Sequence, residues 1–290
     1  MKKIFVIIYI AALLNTAGCK KDSEFLNVQP TSILTNEQAF SDPAQVLSIM
    51  ADLYNRQLDF SGLDNGWASF ADFSESFPSE NGSTGIVQRN DWGFDFWSTW
   101  DYGYIRDLNL FIERATEAKA LSETDRKLFL AEARFLRANY YFEMVKRMGG
   151  VPLIKESLKY DFSGDPTYLQ YPRSKEFEMY DFVISEAEAV KNDLPVNENE
   201  KSRATKAAAL AMIARAALYA GSIAKYGANT PQVTLPGLEV SIPASMATGY
   251  YTKALNAAKE IISGIAGTYA LYNKKPDLGD NFASIFIDKG

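Results

Sequence analysis

Aromatic side chains are concentrated in one polar stretch of this chain. All four tryptophans fall between residues 67 and 100, and Gly, Asn, Asp and Ser are mixed among them, as in Arg89–Gly93. Flat rings can cover the C–H faces of a sugar, while Asp, Asn and Arg side chains hydrogen-bond its hydroxyl groups. The stretch therefore predicts a ligand-binding surface for a sugar. The candidate contact residues are Asp72, Arg89, Trp92 and Trp97.

These aromatic residues also have a purely structural interpretation, in which they anchor a long loop onto neighbouring helices. Trp100 and Tyr104 stand at helical spacing, so we assign both to the core. Trp92 lies between Asp91 and Gly93 and is the best candidate for an exposed ring. The sequence does not decide between the two interpretations for Trp97.

Two further groups have residue types that could support catalysis. Asp72, Glu75 and Glu80 could supply the two carboxylates of a glycoside hydrolase, but that reaction needs a set separation that a sequence does not give. Ser222 and Lys225 fit the S-x-x-K form of serine acyl-enzymes, without its S-D-N and K-T-G partners. The chain has no histidine, which excludes a Ser-His-Asp triad and histidine-ligated zinc within it. We expect no catalysis, cofactor or metal, with the carboxylate-based glycoside hydrolase as an alternative.

The only cysteine, Cys19, follows a segment that is typical of export. After two lysines, Ile4–Leu14 is an apolar run that is too short to span a bilayer but suits the hydrophobic region of a secretory signal. Small residues then lead to Cys19, the position at which a bacterial lipoprotein receives its lipid. We predict a signal peptide over 1–18, a lipid on Cys19 and a polar tether over 19–34. An ordinary secretory signal with an incidental cysteine is the alternative.

The charge balance argues against nucleic acid as a partner. The net charge is −6, and loss of residues 1–18 would remove two lysines and no acid, giving −8 from 28 basic and 36 acidic residues. Nucleic-acid binding depends on basic clusters that neutralise phosphates, and this chain has none. We expect contact with a membrane only through the lipid on Cys19.

Amphipathic helices must position these groups from Thr35 onward. Ser122 is placed to cap the third of them and Gly149 to end it. Strand signals are confined to Val151–Ile154 and a possible hairpin around Pro236–Gly237. The predicted fold is therefore mainly α. The predicted helices cover 35–58, 98–119, 122–150, 174–194, 202–226 and 249–264, with Leu47, Met50 and Leu53 sharing one face of the first and Tyr251, Leu255, Ala258 and Ile262 aligned on the last.

An internal similarity supports stacked helical units. Residues 131–149 align with 209–227, pairing alanines, an arginine, a tyrosine and a glycine. Small residues let helices approach closely, and a large aromatic fills the next gap. The pattern indicates tetratricopeptide-like hairpins with long insertions between the units.

Several segments together resemble one family, the SusD/RagB-like nutrient-uptake lipoproteins of the Bacteroidota outer membrane. Ala131–Ala138, continued by Tyr140–Glu143 and Lys146–Leu153, is close to the most recognisable run of that family. Phe25–Ser32 resembles the stretch after the lipidated cysteine. Further similarity lies in Tyr171–Ser174, Tyr180–Asp181 and Arg203–Ala211.

The resemblance implies tetratricopeptide-like hairpins packed with long irregular loops over 35–290, and a protein that binds without catalysing. It implies a surface-exposed lipoprotein of the outer membrane, with Asp22 and Glu24 as export tags, that passes an oligosaccharide to a SusC-like TonB-dependent transporter. Family members contact sugar partly in the segment that corresponds to 64–100 and largely in a C-terminal half. Because they continue well past residue 290, we expect this chain to be an N-terminal portion. A helical-repeat scaffold that binds only protein is a further alternative.

Overall fold

The computed structural model describes residues 36–57, 100–196 and 202–287. The chain divides into two units, Met1–Ala39 and Phe40–Gly290. The described part of the first unit is the single helical turn α1. In chain order the helices are α1 (Asn36–Ala39), α2 (Pro43–Asn55), α3 (Tyr102–Glu117), α4 (Glu123–Met148), α5 (Glu176–Val190), α6 (Lys206–Tyr226), α7 (Ala247–Ile262) and α8 (Leu278–Ile287).

Helices α3 to α7 form a stack in which each packs against the next, and α2 lies on α4. One core cluster joins α4, α5 and α6 through small and aliphatic side chains, with Phe135 packed against its edge. The prediction of a mainly helical chain is confirmed, and none of the described ranges contains a strand. The buried cluster consists of Ala131, Val190, Leu194, Ala204 and Ala209.

Helix α4 begins and ends as the sequence predicts. The Ser122 hydroxyl accepts a hydrogen bond from the Asp125 backbone N–H at 3.1 Å, which satisfies one of the free donors of the first turn. Acidic residues occupy that turn and Lys146 and Arg147 the last one, as the helix dipole favours. Gly149 ends the helix at φ 68°, a left-handed conformation that suits glycine.

The predicted helix over 35–58 is divided in the structure into the turn α1 and, from Pro43, helix α2. Its N-cap is Asp42, whose carboxylate accepts from the Ala44 N–H at 2.9 Å, with Pro43 in the first turn. A proline there costs no hydrogen bond, since the first N–H groups have no helical partner. The predicted inward position of Leu47 is wrong because this side chain is exposed, whereas Met50 is buried as predicted.

The predicted strand at Val151–Ile154 does not form, because most of its hydrogen bonds are with side chains and not with a neighbouring strand. Its one backbone partner among the described residues is the Ser174 N–H, which donates to the Val151 carbonyl at 3.1 Å. Tyr141 accepts from the Ile154 N–H at 2.8 Å, Tyr102 donates to the Pro152 carbonyl at 2.7 Å, and Asn109 donates to the Ile154 carbonyl at 3.1 Å. The segment is therefore an extended strap along α3. At Pro236–Gly237 the chain makes a tight turn without strands.

The face that α7 turns toward α6 differs from the aligned stripe of the sequence. Tyr250, Ala254 and Ala257 are buried, while Leu255 and Ile262 are exposed. A small residue on α6 allows this contact, because Gly221 leaves room for the large side chains of Tyr250 and Tyr251 on α7. A Cβ added at Gly221 of α6 would lie 3.1 Å from the Tyr251 ring.

Helix α6 contributes many buried apolar side chains to the core of the stack. Lys206–Asn229 is long and apolar enough to cross a membrane by composition, but half of its most apolar window is buried inside the domain. Its apolarity is therefore explained by packing between α5 and α7.

Candidate functional site

The residues that the sequence singles out for binding lie in two segments, 1–35 and 58–99, that the structure does not describe. The described chain nevertheless contains both ends of the aromatic segment, Gln57 and Trp100. The structure describes the contacts of these two flanking residues and of their neighbours. The predicted residues outside the described ranges are Cys19, Asp72, Glu75, Glu80, Arg89, Trp92 and Trp97.

One arginine links the two ends of the 58–99 segment. The Arg56 guanidinium donates to the Asp107 carboxylate at 2.7 Å and lies 3.6 Å from the Asp101 carboxylate. Burial alone would raise the pKa of Asp107, but hydrogen bonds from Arg56 and Arg106 outweigh it and hold that pKa below its usual value. Asp107 therefore stays ionised and keeps Arg56 beside the start of α3.

Gln57 is fixed by its amide before the chain enters the segment. Its Nε2 donates to the Tyr104 hydroxyl at 2.6 Å, and its Oε1 accepts from Asn139 at 2.6 Å. The Tyr104 hydroxyl in turn donates to the Leu53 carbonyl at 2.7 Å. Three helices thus position the first end.

The second end is fixed by Asp101, which caps α3. Its N–H donates to the Tyr140 hydroxyl at 2.9 Å, and its carboxylate accepts from the Tyr104 N–H at 2.9 Å. Trp100 stands just outside the helix, with its ring centroid 5.2 Å from that of Tyr102 in an edge-on arrangement. Both ends of the segment therefore meet on one patch at the start of α3.

Trp100 is not a core residue, contrary to the sequence-based assignment. It is 46% exposed, whereas Tyr104 is fully buried as predicted. The assignment from helical spacing is wrong because α3 begins at Tyr102. Trp100 lies before the helix, so the helical periodicity does not apply to it. An exposed indole next to a carboxylate and a guanidinium is a suitable surface for stacking a sugar ring.

A buried ionic cluster holds the framework behind this patch. Arg137 donates to the Asn109 side chain at 2.7 Å and to the Glu186 carboxylate at 2.9 Å, and Arg134 donates to the other Glu186 oxygen at 2.7 Å. These hydrogen bonds and ion pairs link the side chains of α3, α4 and α5 to one another. Arg137 lies in the Ala131–Ala138 run that carries the family resemblance and in the internal repeat, but its ionic role was not predicted. The available signal was a charged residue on a helix face that is mostly apolar.

The other residues considered for chemistry have structural surroundings. Tyr251 donates to the Ser222 hydroxyl at 3.4 Å, and the Lys225 ammonium lies over the rings of Tyr226 and Tyr251. In the described ranges no three acidic, histidine or cysteine side chains are grouped as metal ligands.

Solved structures show where this helical arrangement occurs. The chain is similar to a SusD-like protein from Bacteroides fragilis, with 26% identity, a TM-score of 0.53, and coverage of 85% of this chain and 42% of that one. It also resembles surface glycan-binding protein A from Bacteroides uniformis, with 19% identity, a TM-score of 0.55, and coverage of 84% and 49%. A SusD homolog from Bacteroides thetaiotaomicron matches with 19% identity, a TM-score of 0.56, and coverage of 81% and 43%.

The chain spans less than half the length of each of these proteins. A comparison with curated protein sequences found no match. The SusD-like family model, described as starch-binding and associating with the outer membrane, matches residues 24–218. That match includes α2 to α5, most of α6 and the whole aromatic segment. On this match, together with the shared helical arrangement, the chain belongs to the SusD-like family.

Proposed function

We propose that this protein is a surface lipoprotein that binds a nutrient oligosaccharide and delivers it to a SusC-like TonB-dependent transporter. The observation that carries the proposal is the patch at the start of α3, where exposed Trp100 stands beside the joined ends of the 58–99 segment. Ligand rings would stack on Trp100 and on Trp92 and Trp97. Asp72 and Arg89 would hydrogen-bond the hydroxyl groups.

The rigidity of this patch supports binding. Arg56, Gln57 and Asp101 each contact other helices, so little conformational freedom remains to be lost when a ligand arrives. The family description favours an α-glucan such as amylopectin as the first ligand to examine.

Affinity gel electrophoresis in amylopectin tests the proposal with the purified protein. We expect the parent protein to be retarded, and Trp100→Ala to weaken binding by about tenfold, a loss consistent with one stacked ring. Tyr269→Ala removes a similarly exposed ring elsewhere and should leave retardation unchanged. Equal loss in both variants, or release of reducing sugar by the parent protein, would contradict a binding role at Trp100.

Anchoring and delivery have separate tests. Residues 1–18 would be removed as a signal peptide, and 19–34 would tether the 35–290 helical domain to lipid on Cys19. Several acyl chains hold a protein stably on a membrane, so Cys19→Ala should move the protein to the soluble fraction.

A pull-down from native membranes with a C-terminal tag should recover a large TonB-dependent transporter. Recovery of other proteins without it, from a protein that binds no glycan, would favour a protein-binding scaffold.

A further inference from the structure

We propose that the loop 160–171 is a second contact surface for a neutral glycan, separate from the patch at Trp100; this inference rests on the proposed function. The loop carries four exposed aromatic side chains within twelve residues. Phe162 is the most open of them, at 88% exposure. Aromatic rings gathered on a surface are a common feature of binding sites. The other three are Tyr160, Tyr168 and Tyr171.

The loop is held in place by the hydroxyl groups of its own tyrosines. The Tyr168 hydroxyl accepts from the Asp161 N–H at 2.6 Å and donates to the Lys159 carbonyl at 3.1 Å. The Tyr160 hydroxyl accepts from the Gly164 N–H at 2.8 Å. Because the polar ends of both rings are engaged with backbone, their flat faces remain for a ligand.

Phe162 is presented in a conformation that bulky residues seldom adopt. Its φ is 59°, in the left-handed region, and its ring lies edge-on to Tyr160 with centroids 5.2 Å apart. Left-handed backbone at a large apolar residue is unfavourable, and such positions are concentrated at functional sites. Here the conformation leaves most of an apolar ring in solvent, with the edge of the ring pair against Tyr160 as its packing contact.

The charges of the loop favour a neutral, hydroxyl-rich ligand. Asp161 and Asp165 are its only charged residues, and both are exposed. Hydrogen bonds from Ser163 and Thr167 hold the pKa of these two carboxyls below the usual value. Ionised carboxylates accept hydrogen bonds from sugar hydroxyls and repel phosphate, sulfate and uronate groups.

The strap along α3 sets the separation between this loop and Trp100. Tyr102, at the start of α3, donates to the Pro152 carbonyl, while Glu113, eleven residues later, accepts from the Ser157 N–H and hydroxyl, both at 2.7 Å. Eleven helical residues span about 16 Å. The loop therefore leaves the framework near the far end of α3, where a long glycan could contact both surfaces and a short one could not.

The test compares a polymer with a short oligosaccharide. For Phe162→Ala we expect retardation in amylopectin to weaken by about tenfold, since the second contact adds to the first through effective concentration. Maltotriose affinity at the Trp100 patch, measured by calorimetry, should stay unchanged. Phe162→Gly relieves the left-handed backbone, so its polymer binding should fall as well even if its stability rises. Phe162→Trp should retain polymer binding.

The outcomes separate this inference from the proposed function. Unchanged polymer binding in Phe162→Ala, with weakened binding in Trp100→Ala, would overturn the second surface alone. Equal loss of maltotriose and amylopectin binding in Phe162→Ala would also overturn it, because the loop would then belong to the first site or to folding. A parent protein that is not retarded by amylopectin, laminarin or xylan would overturn both.

Discussion

At the residue scale, two buried tyrosine hydroxyls differ in their hydrogen bonds. Tyr104 donates to the Leu53 carbonyl at 2.7 Å and accepts from Gln57 at 2.6 Å. The equally buried Tyr180 hydroxyl has no partner among the described residues. Burial raises the pKa of both phenols, so both are neutral at physiological pH.

Removing each hydroxyl should therefore have opposite consequences. Tyr104→Phe removes the donor to the buried Leu53 carbonyl and leaves the Gln57 amide with only its longer bond to the Leu136 carbonyl, so we expect a loss of about 1–3 kcal/mol in the free energy of unfolding. Tyr180→Phe removes a buried hydroxyl that gains no hydrogen bond, so stability should be unchanged or higher. Urea unfolding monitored by circular dichroism measures both. Equal losses would mean that Tyr180 has a hydrogen bond in solution.

Glu186 provides a second prediction at this scale, on acid stability. Burial alone would raise its pKa, but Arg134 and Arg137 outweigh that effect and lower it. A lowered pKa means that the carboxylate stabilises the fold above the ordinary glutamate pKa, and that this contribution is lost as pH falls through the folded-state value. Glu186→Gln should therefore unfold with about 3 kcal/mol less free energy at pH 7 and show a shallower loss of stability on acidification.

The control for this change is an exposed carboxylate of α4. Glu123 pairs with Arg126 and Lys127 at the surface, where screening keeps ion pairs weak. Glu123→Gln should cost less than about 0.5 kcal/mol. Guanidinium would mask these charge effects, so urea unfolding from pH 7 to pH 3 is the appropriate measurement. Parallel pH profiles for the parent and Glu186→Gln would show that Glu186 is not the titrating group.

At the scale of elements, periodicity and caps predicted the helices well. The Ser122 cap and the Gly149 stop of α4 are local signals, and both are present in the structure. The buried face of α7 and the strap at Val151–Ile154 could not be predicted, because each depends on partners distant in sequence. The positions of the residues named for binding between 58 and 99 stay a prediction. Trp100 was misassigned because a periodic pattern does not show where a helix begins.

The corner after α4 gives a prediction about glycine. A Cβ added at Gly150 would overlap the backbone carbonyl of Ser174, so no rotamer change could relieve it. Gly227, at the end of α6, has ordinary φ and nothing within 4 Å of an added Cβ. We expect Gly150→Ala to destabilise by well over about 1 kcal/mol, and Gly227→Ala to be neutral or stabilising. Thermal unfolding of the two variants provides the comparison, and equal melting temperatures would refute the close approach.

At the scale of the whole second unit, the helical stack serves as a rigid frame for irregular segments. The strap and the segment around Glu239 meet at the corner after α4, where the Gly150 N–H donates to the Glu239 carbonyl at 2.5 Å. The Ser241 N–H donates to the buried Glu176 carboxylate at 2.6 Å. The segments proposed for binding thus leave a frame that is fixed by backbone and ionic contacts, which is what a preorganised glycan surface needs.

Helix α7 leaves an apolar stripe in solvent. Leu255 and Ile262 lie seven residues apart on one face of α7 and are 53% and 84% exposed. Exposed stripes of this kind promote self-association and bind apolar dyes.

The double variant Leu255→Glu/Ile262→Glu should therefore reduce dye fluorescence and self-association, with the free energy of unfolding changed by less than about 1 kcal/mol. Leu271→Glu, outside the helices at a position with 91% exposure, is the control and should have little effect. Dynamic light scattering and dye titration measure the surface, and urea unfolding measures stability. If the double variant loses several kcal/mol while the control does not, the stripe is packed in solution, because only a covered apolar face makes a charge that costly.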